Sequence, residues 1–241
     1  MLETRGLTKA FGGVRAVDGL TVTIEPGRIT ALIGPNGSGK STLVNLLSGM
    51  LAIDDGAVVV GETELRRIKP HDVPAHGITR TFQEVRLFEQ MTVLDNLLVV
   101  LAKRGVLASL LERPRPEHLE RARALLGRVG LQEKEGQLAE TLSYGQRKLL
   151  EIARALAMDA RVYLFDEPFA GLFPEMVQTI VEIIRSLREE GRTVVLIEHD
   201  MGVIRQLADA IVVMDEGRLL AQGEPDEVLE RREVVDAYLG R

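Results

Sequence analysis

"ALIGPNGSGKSTLVNLLSG", residues 31–49, decides how the rest of the chain is read. The apolar run Arg28 to Ile33 predicts a compact strand. Lys40 to Met50 has helical spacing, with Leu43, Leu46 and Leu47 on one face. Between them, Gly34, Pro35, Asn36, Gly37, Ser38, Gly39, Lys40 and Ser41, followed by Thr42, fit the pattern G-x-x-x-x-G-K-[ST] without a mismatch. A loop that wraps phosphate oxygens must bring backbone N–H groups close to them, and side chains would block that approach, hence glycine. The helix that follows starts with unpaired N–H groups and a dipole that favours an anion. Lys40 adds a mobile positive charge for the outer phosphates, and Ser41 offers a hydroxyl to Mg²⁺. The stretch therefore reads as a nucleotide-phosphate cradle.

Outward from the cradle, two β-like runs open the chain, Leu2 to Leu7 and Leu20 to Glu25, broken by Phe11-Gly12-Gly13. Another strand is expected at Ala57 to Val60. From about Val93 to Met158 helix formers dominate, with helical spacing over Pro116 to Val129 and Gln146 to Met158. From Arg161 onward the pattern alternates. Strands are predicted at Arg161 to Phe165, Thr193 to Ile197 and Ala210 to Met214, and a short edge strand at Gly217 to Ala221. Helices are predicted at Pro174 to Glu190 and Met201 to Leu207, and the tail is helical. Continuous apolar strands alternating with helices argue for a parallel sheet buried on both faces.

Bulk properties narrow the function. The 241 residues suffice for one large domain or two lobes, and apolar residues make up 45%. The absence of cysteine excludes disulfides, thiol catalysis and cysteine-based zinc sites. The net charge of −6 and the lack of a basic patch argue against nucleic acid. No apolar run approaches a membrane span, and no signal peptide is visible. These features predict a soluble intracellular protein and leave open binding to a membrane through a partner.

Two further constellations bear on what the nucleotide is for. Arg161-Val-Tyr-Leu-Phe-Asp166-Glu167 is an apolar strand ending in two acids, and an acid at the carboxyl end of a parallel strand lies where ligands bind in such sheets. Asp166 is the candidate for Mg²⁺, and Glu167, pointing elsewhere, for polarising an attacking water. Leu142-Ser143-Tyr144-Gly145-Gln146 precedes the most amphipathic helix, with Ser143 a natural N-cap and Gly145 leaving the backbone open.

With these residues in hand, "LSYGQRKLLEIARALA" resembles the signature motif of ATP-binding-cassette (ABC) ATPases, usually LSGGQ, with Tyr144 in place of the first glycine. The resemblance covers essentially the whole chain. It implies an α/β P-loop NTPase fold: a RecA-like parallel-sheet core, a small antiparallel β subdomain and an inserted helical subdomain. The corresponding boundaries are 1–83 for the core with the β subdomain, 84–158 for the helical subdomain and 159–241 for the rest of the core. It implies ATP and Mg²⁺ as ligands and assigns further residues. Phe11 resembles the aromatic that stacks on adenine. Gln83 in "TRTFQEVRLF" resembles the Q-loop glutamine that reaches Mg²⁺ and the attacking water. His199 in "VVLIEHD" resembles the switch histidine at the γ-phosphate, while His71, His76 and His118 read as structural. "AGLFPE" at 170–175 stands where the D-loop belongs, with Phe173 near the family's usual Asp. In such proteins two cassettes pack head to tail, Ser143, Gly145 and Gln146 of one closing over the ATP held by Lys40 of the other.

The stretch "GITRTFQEVRLFEQMTVLDNLLV", 77–99, the run "EHDMGVIRQLADAIVVMDEGRLLAQGEPDEVL" and the closing "AYLG" resemble the larger ATPase of branched-chain amino-acid (Liv-type) importers. That implies permease subunits in the membrane, a second ATPase of the same or another chain, a periplasmic or extracellular substrate-binding protein, and a place on the cytoplasmic face of the inner membrane. Alternatives are a transporter for an amide, urea, another amino acid or an exported lipid. Two further rivals are a soluble ABC protein and a nucleotide-binding regulator without hydrolysis.

Overall fold

The computed structural model describes residues 1–102 and 115–239. The described residues form two compact units. One gathers Met1–Arg80, Arg161–Glu167 and 184–239, and the other 81–102, 115–160 and Pro168–Ile183. The helical stretch expected over 84–158 thus includes positions 103–114, which lie outside the described residues.

The first unit is built on two sheets. The larger has six strands: β3 (Ile29–Ile33), β6 (Ile78–Arg80), β7 (Val162–Asp166), β8 (Thr193–Ile197), β9 (Ala210–Asp215) and β10 (Arg218–Gly223), in the order β10-β9-β3-β8-β7-β6. All neighbours run parallel except β10, which pairs antiparallel with β9 at the edge. Strands β3, β7 and β8 are buried at every residue, as a parallel sheet covered on both faces requires. The two-residue period of the pleat sorts their side chains. Leu32, Val212 and Met214 join one apolar cluster with Leu43, Val44 and Leu47 of helix α1 (Lys40–Leu47); Ala31, Ile33, Ile211 and Val213 join another with Ile204.

The smaller sheet is antiparallel, in the order β2-β1-β4-β5, from β1 (Leu2–Phe11), β2 (Val14–Ile24), β4 (Asp55–Val60) and β5 (Thr63–Leu65). The first two strands run well past the expected ends. Phe11 pairs with Val14 across the Gly12-Gly13 turn, so Val14–Val17, which lack a strand signature of their own, are drawn into the ladder. Helix α1 ends at Leu47 instead of Met50. The Ser48 hydroxyl turns back to the Val44 carbonyl at 2.7 Å, and Gly49 takes φ 67°.

The second unit is helical. Helices α2 (Val93–Leu101), α3 (Pro116–Arg128) and α4 (Tyr144–Ala157) pack on one another pairwise, burying Val93 and Leu97, Ala122 and Leu126, and Leu150, Ile152 and Ala153. Helix α5 (Pro174–Glu189) passes from this unit into the first between Ile183 and Ile184. The remaining helices of the first unit are α6 (Met201–Leu207), α7 (Pro225–Leu229) and α8 (Arg232–Leu239). Among the described residues no helix is long and apolar enough to cross a membrane.

Candidate active site

Strand β3 delivers the chain to the glycine loop, and the loop delivers it to α1. Gly34 and Gly39 hold positive φ values of 149° and 101°. A Cβ on Gly34 would run into the Met214 carbonyl, and one on Gly39 into the Ala16 carbonyl, so both positions demand glycine twice over. The loop is closed by Ser38 N–H to the Pro35 carbonyl at 3.2 Å and by Gly217 N–H to the Ser38 carbonyl at 3.0 Å. Helix α1 starts at Gly39 with no side chain capping its first N–H groups, the arrangement that leaves them for an anion. Lys40 is buried, and its ammonium donates to the Gly34 and Pro35 carbonyls at 2.8 and 3.0 Å and to the Ser38 hydroxyl at 3.4 Å. Burial pulls its pKa down, partly opposed by the nearby Glu167 carboxylate. Asn36 and Gly37 at the loop's crest and Ser41 in the first turn of α1 are exposed. Tyr238 of α8 also reaches this loop. Burial raises its phenol pKa against the opposing effect of a hydrogen bond with the Gly34 backbone.

At the carboxyl end of β7 the two acids part. Asp166 keeps strand conformation and is 4% exposed. Glu167 takes φ 48°, a left-handed conformation rare for a side chain of this size, and its N–H donates to the Ile197 carbonyl at 3.0 Å. That backbone twist brings Glu167 Oε1 to 3.1 Å from Nε2 of His199, two residues beyond β8. Beyond it Asp200 caps α6, its Oδ1 accepting from Gly202 N–H at 2.8 Å.

Sequence reasoning missed one residue here. Arg80, at the end of β6, donates to Asp166 Oδ2 at 2.7 Å, to Asn45 Oδ1 at 2.6 Å and to the Ser48 hydroxyl at 2.9 Å. Its side chain is 8% and that of Asp166 6% exposed. A single basic residue after two strand formers was the only local sign of it. Phe11 closes β1 at 47% exposure, with the Lys9 ammonium 5.5 Å from its ring centre.

Lys40, Asp166, Glu167 and His199 thus come together in the first unit. Gln83, Ser143, Gly145 and Gln146 belong to the second. Ser143 caps α4 through a reciprocal box: its hydroxyl accepts from Gln146 N–H at 3.3 Å, and its own N–H donates to Gln146 Oε1 at 3.1 Å. A Cβ on Gly145 would strike the Met176 sulfur of α5, so this glycine is required by packing. Gln83 is exposed on the segment between β6 and α2. Phe173, before α5, is 75% exposed. Among the described residues no cluster of three or more acids or histidines marks a metal cage.

Comparison with known proteins agrees with this arrangement. The profile of the family described as ABC transporter matches residues 17–170. The high-affinity branched-chain amino acid transport ATP-binding protein BraF of Pseudomonas aeruginosa is 39% identical, over 100% of this chain and 98% of its own length. Among solved structures, the ADP conformation of the ATP-binding cassette MJ1267 superposes with TM-score 0.86 at 35% identity, covering 100% of this chain and 99% of that one. A dimeric cassette, MJ0796 in a post-hydrolysis state bound to ADP and Pi, superposes with TM-score 0.82 at 25% identity over 93% and 99%. With the phosphate loop, the acid pair and the capped signature helix all in place, the chain belongs to the ABC transporter family and is one of its ATP-binding cassettes.

Proposed function

We propose that this cassette hydrolyses ATP to drive an importer of branched-chain amino acids through separate membrane subunits. One observation carries the hydrolytic part: Glu167 and His199 meet at 3.1 Å just beyond the ends of two adjacent parallel strands, in the same unit as the phosphate loop. The full-length likeness to BraF supports the transport part.

In this reading ATP is the substrate, and the loop at 34–42 binds its phosphates through backbone N–H groups. Lys40 exchanges its bonds to the loop carbonyls for phosphate oxygens. Glu167 polarises a water for in-line attack on the γ-phosphorus, and His199 orients it and holds the outer phosphate. Phe11 stacks on the base. The Ser41 hydroxyl and the Asp166 carboxylate are hard oxygen donors, too few for an all-protein cage, which suits an ion that keeps several waters. Mg²⁺ held there would neutralise charge on the phosphate oxygens. Gln83 is assigned as a further oxygen donor on the strength of its motif. By the motifs, residues 1–83 and 159–241 are assigned to the nucleotide-binding core and 84–158 to the signature subdomain; the compact units divide the chain differently, with Thr81–Gln83 and Pro168–Ile183 on the helical side.

The dimeric MJ0796 cassette supports a second ATPase chain as partner, identical or not, packed head to tail so that Ser143, Gly145 and Gln146 of one protomer close on ATP held by its partner. Permeases would hold the pair at the cytoplasmic face of the inner membrane, served by a substrate-binding protein outside, with no part for nucleic acid.

The test is Glu167→Gln. Phosphate release should fall by about 10²- to 10⁴-fold while ATP is retained and an ATP-dependent dimer persists in size-exclusion chromatography. Release at the wild-type rate would remove Glu167 from this role. Uptake by the reconstituted transporter, with leucine competing against an amide and urea, separates the substrate reading from its neighbours.

A further inference from the structure

Helix α4 buries charge where apolar side chains would serve its packing. Lys148 is 1% and Glu151 5% exposed, in a helix that otherwise buries Leu149, Leu150, Ile152 and Ala153. With Arg154 they stand three residues apart, on one face. Burying charged side chains is weak ground for stability, because well-packed hydrophobic residues do as well or better. What these side chains supply is direction.

All three aim at the main chain of one short segment. Glu151 Oε1 accepts from the N–H of Phe82 at 3.2 Å and of Arg86 at 3.4 Å. The Lys148 ammonium donates to the Gln83 carbonyl at 3.4 Å. Arg154 donates to the Arg86 carbonyl at 2.5 Å, and its guanidinium lies 5.0 Å from the Phe88 ring centre. Arg86 in turn covers the Phe82 ring at 4.2 Å. The second oxygen of Glu151 is buried with no hydrogen-bond partner, a cost accepted for the two bonds made by the first. Since the bonds go to backbone atoms, they fix the path of the chain whatever the side chains of 82–86 are.

We propose that Lys148, Glu151 and Arg154 form a clamp on the main chain either side of Gln83, with Glu151 a positioning residue for that glutamine in ATP hydrolysis. The inference rests on the ATPase reading above. The clamp makes Gln83 continuous with the helix that Ser143 begins, so the segment and the signature move as one piece.

The experiment is Glu151→Ala in the full chain, read by hydrogen exchange and by steady-state kinetics. Exchange at the Phe82 and Arg86 amides should rise about tenfold, the loss of one hydrogen bond's worth of protection, with the phosphate-loop peptides unchanged. The kcat should drop roughly ten- to a hundredfold with the Kd for ATP held within about twofold, the mark of lost positioning. Glu151→Gln, which keeps an acceptor oxygen in place, should recover both the protection and most of the turnover. If Glu151→Ala does not fold, Lys148→Met must show the same split, with faster exchange in the 82–86 peptide and lower kcat at unchanged ATP affinity. Unchanged exchange at 82–86, ATP affinity falling in step with turnover, or no recovery by glutamine would overturn the clamp. A wild-type chain that hydrolyses no ATP would overturn the ATPase reading instead, leaving the exchange result to judge the clamp.

Discussion

Glu167 sits at φ 48°, where glycine would rest without strain. Held there, a non-glycine residue costs about 1–3 kcal/mol, and such conformations collect where geometry serves chemistry. The return is the 3.1 Å contact with His199, an exposed pair that contributes little to stability itself. Glu167→Gly should therefore raise the stability to denaturant by about 1 kcal/mol while phosphate release disappears. A variant that unfolds more easily than wild type would show that the backbone at 167 is not strained. The phosphate loop was legible because every residue's reason is local: the glycines, Lys40 and Ser41 follow from one strand, one turn and one helix start. Glu167's twist was not, because it depends on Ile197 holding its N–H from another strand.

Arg80 joins three elements, since it ends β6 and bonds to Asp166 of β7 and to Asn45 and Ser48 at α1 and its cap. Removing Arg80 takes away the short charge-assisted bond to Asp166 together with the bonds to Asn45 and Ser48. Arg80→Met should thus lower unfolding free energy by about 3–5 kcal/mol, measured by urea titration. Adding Asp166→Asn to that variant should cost less than the same change in wild type, because the two side chains share one bond. A second substitution that costs as much there as in wild type would mean that Arg80 serves packing alone. Strand β6 shows what the sequence conceals at this scale. Three residues carry no pattern, and Ile78–Arg80 become a strand only because β7 pairs with them. Strand β5 is likewise defined by β4. Elements with their own period, such as β8 and α6, were found residue for residue, Thr193–Ile197 and Met201–Leu207.

Across the whole molecule, the order β10-β9-β3-β8-β7-β6 was beyond the sequence, since pairing partners lie up to about a hundred and eighty residues apart. The parallel core with a β10 edge was within it, because both-face burial leaves an unbroken apolar run. Global stability should carry the imprint of Glu151. Burial, opposed by the N–H groups of Phe82 and Arg86 and the charges of Lys148 and Arg154, raises its pKa from 4.5 to about 7. The folded chain holds that proton more tightly than the unfolded one. Its contribution is therefore complete below pH 4.5 and fades as pH rises through 7, by up to about 1.4 kcal/mol per pH unit in between. Urea midpoints of wild type and Glu151→Gln, compared from pH 5 to 8, should diverge in favour of the variant as pH rises; parallel curves would contradict this. The box at Ser143 has a kinetic corollary. With both ends of the motif already bonded to each other, the helix tip needs no local ordering before it meets another molecule. Encounter there is docking of a finished surface, so its speed is set by diffusion and orientation, and affinity is tuned by how long the contact lasts.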